Sequence, residues 1–179
     1  AVVDRRDALD QPVGDRARIL ELLRLNDYID LIIPRGGASL HKLCRDNSNI
    51  PVITGGMGIN HLYVDESADQ ALAIEVIVNA KVSKPTVCNA LGTVLVQREI
   101  AQAFLPGMAA QLAAKGVELR CDERALAIVP GGVAAAAGDW DTEWLSLVLG
   151  VAVVDSIDAA LAFIATHSME HSDGIISTR

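Results

Sequence analysis

Short apolar runs that alternate with amphipathic stretches limit the folds open to this chain more than any other feature. "YIDLIIP" (28–34), "IPVIT" (50–54), "INHLYVD" (59–65), "TVLVQ" (93–97), "VELRC" (117–121), "VAVVD" (151–155) and "GIIST" (174–178) read as strands. Between them "DRARILELLRLND", "RGGASLHKLCRDN", "ESADQALAIEVIVNAKV", "EIAQAFLPGMAAQLAAKG" and "SIDAALAFIATHS" carry apolar residues at helical spacing. Glu66 and Asp69 are expected in the first turn of the third helix, and Gly116 is expected to stop the fourth. Strands and helices in strict alternation predict an α/β fold: a mostly parallel sheet with helices on both faces. Residues 130–139, "PGGVAAAAGD", read as a loose connection, and the Pro/Gly/Thr-rich stretch near 51–58 as a boundary between two sub-domains.

Composition narrows the function. Of 179 residues 51% are apolar and only 3% aromatic, so the core must be built from Ala, Val, Leu and Ile, as in parallel sheets. A net charge of −8 without a dense Lys/Arg cluster argues against nucleic acid. No apolar run reaches the roughly 18 residues of a membrane helix, and "AVVDRRDALDQ" lacks the basic start and apolar core of a signal peptide. Cysteines at 44, 88 and 121 form neither a metal cluster nor a disulfide framework, so a reducing, cytoplasmic setting is expected.

Few residues stand out as chemistry. The turn "PRGGAS" (34–39) follows a strand and opens a helix, where backbone N–H groups can receive a phosphate; Gly36 and Gly37 equally suit a plain tight turn. "TGGMG" (54–58) leads into a strand and reads as a bend. His41, His61, His167 and His171 have no zinc spacing. Cys44 and Cys121 fall inside regular elements and read as buried hydrophobes. Cys88, in "SKPTVCNA", lies instead in a proline-containing loop between a helix and a strand, where a nucleophile can be displayed. Residue pattern alone leaves Cys88 open between nucleophile and core filling.

A family resemblance decides between them. "DLIIPRGGASLHKLCRDNSNIPVITGGMGINHLYVDESAD", "VNAKVSKPTVCNA", "FLPGMAAQLAAKGVELRCD" and "DTEWLSLVLGVAVVDSIDAALAFIATHSMEHSDGIIST" resemble the γ-glutamyl phosphate reductase family of the aldehyde dehydrogenase superfamily. The resemblance implies an aldehyde-dehydrogenase-like catalytic domain and NADPH-dependent reduction of γ-glutamyl phosphate to glutamate 5-semialdehyde, in proline biosynthesis. It implies that Cys88 is the catalytic thiol and that Arg35, Gly36, Gly37 and Glu143 contact NADP. No metal is implied. The partners implied are the small-molecule substrate, further copies of the chain in a homo-oligomer, and glutamate 5-kinase.

Family members are more than twice this long. Residues 1–50 are therefore expected to be the last part of the cofactor-binding domain and 51–179 most of the catalytic domain, truncated at both ends and inactive in isolation. Gly92 stands where the family carries a Glu, which bears on hydrogen bonding around Cys88. Hydrolytic relatives carry a water-activating glutamate at the position of Ile53, and neither Ile53 nor Thr54 can act as a base near neutral pH. That suits an enzyme whose thioester goes to hydride rather than to water. Three rival readings remain. A cysteine hydrolase would use His61 or His41 as base. A coenzyme-A-acylating dehydrogenase equally needs no water-activating base. A non-catalytic scaffold would show no unusual thiol.

Overall fold

The computed structural model describes residues 16–179; Asp15, where the first sequence-predicted helix begins, and the "AVVDRRDALDQ" stretch lie outside the described residues. The chain divides into two compact units, residues 1–55 and 56–179.

In the first unit, α1 (Arg16–Leu22) and α2 (Ala38–Asn47) are joined by a connection that starts in turns. Leu23, Cys44 and Ile50 are its buried apolar residues, and the Leu23 carbonyl accepts from Asn49 N (3.1 Å). Two sequence expectations need correction here. "DLIIP" and "IPVIT" are not strands: Ile32 and Val52 form a single isolated parallel bridge. Ile32 N donates to Pro51 O and Ile53 N to Ile32 O, both at 2.9 Å, and no longer ladder develops. Pro34 and Pro51 have no N–H to extend one, and Leu31, Ile33 and Ile53 are left exposed.

The second unit is built on a six-stranded, wholly parallel sheet. Its strands are β1 (His61–Val64), β2 (Thr93–Gln97), β3 (Glu118–Cys121), β4 (Val133–Ala134), β5 (Val148–Val154) and β6 (Asp173–Ile176), in the order β4-β3-β5-β2-β1-β6. The central pairings set Leu62 opposite Val94 and Leu95 opposite Ala152. Strand alternation then sorts the core. Val64, Val94, Val96, Leu149, Val151 and Val153 face a large cluster. Helices α3 (Gln70–Val82), α4 (Arg98–Ala113) and the short α5 (Glu123–Leu126) supply Ile77, Phe104, Leu105, Met108, Leu112 and Ala125 to it. Tyr63, Leu95, Ala152 and Val154 face a smaller cluster under α6 (Ile157–His167), completed by Trp140, Phe163 and Ile164. Helices on both faces of a parallel sheet are the architecture expected.

Local signals behave as their chemistry dictates, with two adjustments. The acidic start expected for α3 is a cap instead: Asp69 accepts from Ala71 N and Leu72 N at 3.0 and 3.1 Å, and the helix begins after it. Gly116, at φ +76, ends the chain's run from α4, and Pro106 sits inside that helix. The "PGGVAAAAGD" connection contains more structure than expected. It includes β4, which pairs with β3 at Arg120–Val133 and Cys121–Ala134, and a 3-10 turn follows at Ala137–Asp141.

Edge strand β6 is fastened by a buried histidine. His61 Nδ1 lies 2.9 Å from Asp173 Oδ1, the same oxygen accepts from His61 N at 3.0 Å, and Ser168 Oγ donates to Asp173 Oδ2 at 2.6 Å. Burial holds the His61 imidazole below its usual pKa of 6.5, against the opposing pull of Asp173. The unfolded chain therefore takes up a proton first as pH falls. Stability from this site is complete above about pH 6.5 and declines below it. Urea unfolding at pH 7.5 and 5.5 should show this loss, and His61→Gln should shrink the difference between the two pH values. In the larger cluster, Phe104→Ala should cost about 3–5 kcal/mol in the same experiment.

Candidate active site around Cys88

Cys88 is exposed, whereas Cys44 and Cys121 are buried, and burial pushes the Cys121 thiol up to about 11. It lies on the turn that follows α3 and enters β2. That turn stands at the amino end of its strand, not at the carboxyl end where ligands of open parallel sheets more often bind. The segments before β1 and β5 share the same end of the sheet, and they supply the residues that shape the turn.

Three carbonyls of the turn, those of Cys88, Ala90 and Leu91, are tied down by buried side chains. Buried Asn60, just before β1, donates Nδ2 to Cys88 O and Ala90 O at 2.8 Å each, with Gly58 O at 3.3 Å. Its own carbonyl accepts from Gly92 N (3.1 Å) and Thr93 N (3.0 Å). Leu91 O accepts from Lys81 Nζ at 3.0 Å, and Leu91 N donates to Ala80 O at 3.1 Å. By contrast, the Cys88 and Asn89 backbone N–H groups have no protein acceptor among the described residues. Backbone N–H groups without a protein acceptor are able to receive an anion.

Gly58 makes this arrangement sterically possible. A methyl group there would lie 1.4 Å from the Cys88 carbonyl oxygen and 2.4 Å from its carbon. The backbones are in direct contact, and only glycine permits it. The "TGGMG" stretch is therefore more than a bend. Gly92 is similarly close-fitting: its carbonyl accepts from Gly150 N at 2.9 Å, and a Cβ would meet Asn60 O at 3.2 Å. With Gly at 92 the turn still closes onto the start of β1, Gly92 N donating to Asn60 O.

Glu143 enters from the segment before β5. Its Oε1 accepts from Gly58 N at 2.8 Å, and Oε2 has no partner among the described residues. Leu145, two residues on, is held at φ +47, strained for a branched side chain. Glu143 and Cys88 are thus joined through Gly58 in one unit. Of the proposed cofactor contacts, Arg35, Gly36 and Gly37 lie in the first unit. Gly37 is the N-cap of α2 and makes no side-chain bond to its first turn; a Cβ there would meet nothing within 4 Å. Gly36 adopts φ +156. The uncapped start of α2 can receive an anion; separately, in the second unit, the free oxygen of Glu143 can accept a hydrogen bond from a hydroxyl. Among the described residues no group of three or more His, Cys, Asp or Glu could hold a metal, and no helix is long and apolar enough to cross a membrane.

His61 is not placed to serve Cys88 as a base. Its side chain is buried on the α6 face, edge-on to Phe163 with ring centroids 5.8 Å apart, while Asn60 beside it faces the turn. The hydrolase reading that used His61 loses its base. Asn60, Gly58 and Lys81 are site residues that sequence reasoning passed over. The glycine-rich approach to β1 was the available signal for Gly58; a lysine between Ala80 and Val82 at the end of a mostly apolar helix was the signal for Lys81.

The fold is that of the aldehyde dehydrogenases. An acetylating aldehyde dehydrogenase from Geobacillus thermoglucosidasius superposes with a TM-score of 0.68 at 19% identity, over 91% of this chain and 44% of that one. A more specific likeness is to γ-glutamyl phosphate reductase. The crystal structure of that protein from Thermotoga maritima matches with a TM-score of 0.85 and 42% identity, over 93% of this chain and 40% of the other. In sequence the chain is 52% identical over 174 residues to γ-glutamyl phosphate reductase of Serratia proteamaculans and 51% identical to that of Escherichia coli, covering 95% of this chain and 41% of each relative. The resemblance read from the sequence therefore stands, although the chain spans only about two fifths of the length of these relatives. No protein-family model matches it.

Limiting iodoacetamide followed by peptide mass spectrometry should label Cys88 well before Cys44 or Cys121. Gly58→Ala should displace the turn and change the Cys88 labelling rate at least severalfold, and an unchanged rate would contradict the contact described.

Proposed function

We propose that the protein of which this sequence is part reduces γ-glutamyl phosphate to glutamate 5-semialdehyde with NADPH, through a thioester on Cys88, in proline biosynthesis. The observation that carries the reading is an exposed thiol on a turn whose Cys88, Ala90 and Leu91 carbonyls are held by Asn60 and Lys81, within a chain half identical to γ-glutamyl phosphate reductases.

The thiolate of Cys88 attacks the acyl carbon; a C–S bond forms, and the C–O bond to phosphate breaks with its electron pair leaving on phosphate. The Cys88 N–H, free of protein acceptors, receives the developing oxyanion. A bound nicotinamide supplies the hydride that reduces the thioester. The resulting alkoxide on Cys88 collapses, expels the thiolate and releases the aldehyde. Glu143 orients the cofactor ribose with its free oxygen while its other oxygen holds Gly58. Arg35, Gly36 and Gly37 contribute to cofactor binding. Ile53, where hydrolytic relatives carry a base, leaves water unactivated.

The relatives' name supports the substrate, and the cofactor is the one that the family resemblance implies. Cytoplasmic location, homo-oligomer formation and association with glutamate 5-kinase belong to the same reading.

The test is the reverse reaction in the full-length protein, with glutamate 5-semialdehyde, NADP and phosphate. Turnover should require phosphate, coenzyme A should not replace it, and Cys88→Ala should lower the rate at least a thousandfold. Retained turnover in Cys88→Ala would end the mechanism.

A further inference from the structure

A buried lysine beneath the Cys88 turn has no role in the chemistry above. Lys81 projects from α3, is 1% exposed, and is among the largest fully buried side chains of the chain. It has no carboxylate partner among the described residues. Its recorded hydrogen bond goes to Leu91 O, and burial alone pushes its ammonium down to about 8. An unpaired buried cation is costly, and an apolar residue of similar size would ordinarily be no worse for stability.

The position of that cation gives the reason. Leu91 ends the Cys88 turn, and both of its backbone groups are held by α3, N–H by Ala80 O and carbonyl by Lys81 Nζ. Asn60 holds the neighbouring Cys88 and Ala90 carbonyls. Asn60's hold on Cys88 O turns the Asn89 N–H of the same trans peptide the opposite way, while Lys81 fastens the Leu91–Gly92 peptide and so anchors the end of the turn that carries the Cys88 and Asn89 N–H groups. Lys81 also lines a cavity beneath the turn with Gly58, Val87, Ala90, Glu143 and Trp144. Only about 10 Å³ of it is open to the centre of a water molecule, too little for a substrate phosphate.

We propose that Lys81 is a positioning residue that holds the Leu91 carbonyl inward, so that the N–H groups beside Cys88 are preset to receive an oxyanion. A charge-assisted bond is stronger than a neutral one, so the ammonium form holds the carbonyl more firmly than the free amine. The groups that face Lys81 are few. Among the residues that line the cavity with Lys81, Glu143, from the segment before β5, is the one that carries a charge; those from the turn and from the segment before β1 carry none.

The inference rests on Cys88 as the nucleophile, which Cys88→Ala tests separately. Two reactions of Cys88 in the full-length protein separate positioning from mere structure. Alkylation by iodoacetamide develops no oxyanion, whereas acylation by p-nitrophenyl acetate does. Lys81→Met should keep or raise the melting temperature and alkylate within about twofold of the parent protein. Its acylation burst should be at least tenfold slower. The parent's acylation, corrected by its own alkylation profile for thiolate content, should fall as pH rises through about 8, and this fall should be absent from Lys81→Met. Lys81→Gln, which can donate a bond but carries no charge, should recover part of the acylation rate without the inflection; it serves equally if the Met variant fails to fold. Equal acylation in the variants, or a parallel loss of alkylation and acylation, would overturn the proposal.

Discussion

The side-chain amide of Asn60 is the link on which the rest of the site depends. One buried group reaches the carbonyls of Cys88, Ala90 and Gly58, while the same residue's backbone carbonyl takes the N–H groups of Gly92 and Thr93. It thereby couples the start of β1 to the start of β2 and sets the turn between α3 and β2. A low-dielectric surrounding strengthens each of these bonds and makes the loss of any partner expensive. Without that amide the carbonyls of Cys88 and Ala90 would fall back on solvent.

Around that link the sheet divides the labour between its faces. The α3/α4 side carries the larger apolar cluster and delivers the Cys88 turn from the end of α3, so the reactive segment is anchored to the best-packed part of the molecule. The α6 side carries the smaller cluster and the His61–Asp173 fastening of the edge strand. Glu143 bridges by another route, reaching Gly58 across 85 residues of sequence. Three separate segments meet at the amino ends of neighbouring parallel strands because adjacent strands lie only about 4.8 Å apart.

Much of this architecture was legible in the residues. "TVLVQ", "LYVD", "VELRC", "VAVVD" and "GIIST" all contribute strands; the β-branched runs of β2 and β5 in particular suit a sheet buried on both sides. "DLIIP" misled for the same reason: apolar pattern reports a capacity for burial, while a strand also needs a ladder partner, and the flanking prolines withhold donors. Cys88 was recognisable from its loop and from the family resemblance. Asn60, Gly58 and Lys81 were not, since their importance comes from contacts between residues 28 or more positions apart, or from burial that composition does not reveal. β4 was missed because an alanine-rich stretch carries little strand propensity and is recruited only by its neighbour.

The unequal division of the core has a consequence for how the molecule opens. Helix α6 covers only a small cluster, and Ile157 and Leu161 on its outer side remain in contact with solvent. Less apolar area is released when it detaches than when α4 does, so its amides should exchange with solvent deuterium through a partial opening, well below the free energy of global unfolding. The α3/α4 layer would stay folded through such an excursion. A breathing motion on one face of the sheet would then leave the tethered cysteine turn on the other face undisturbed.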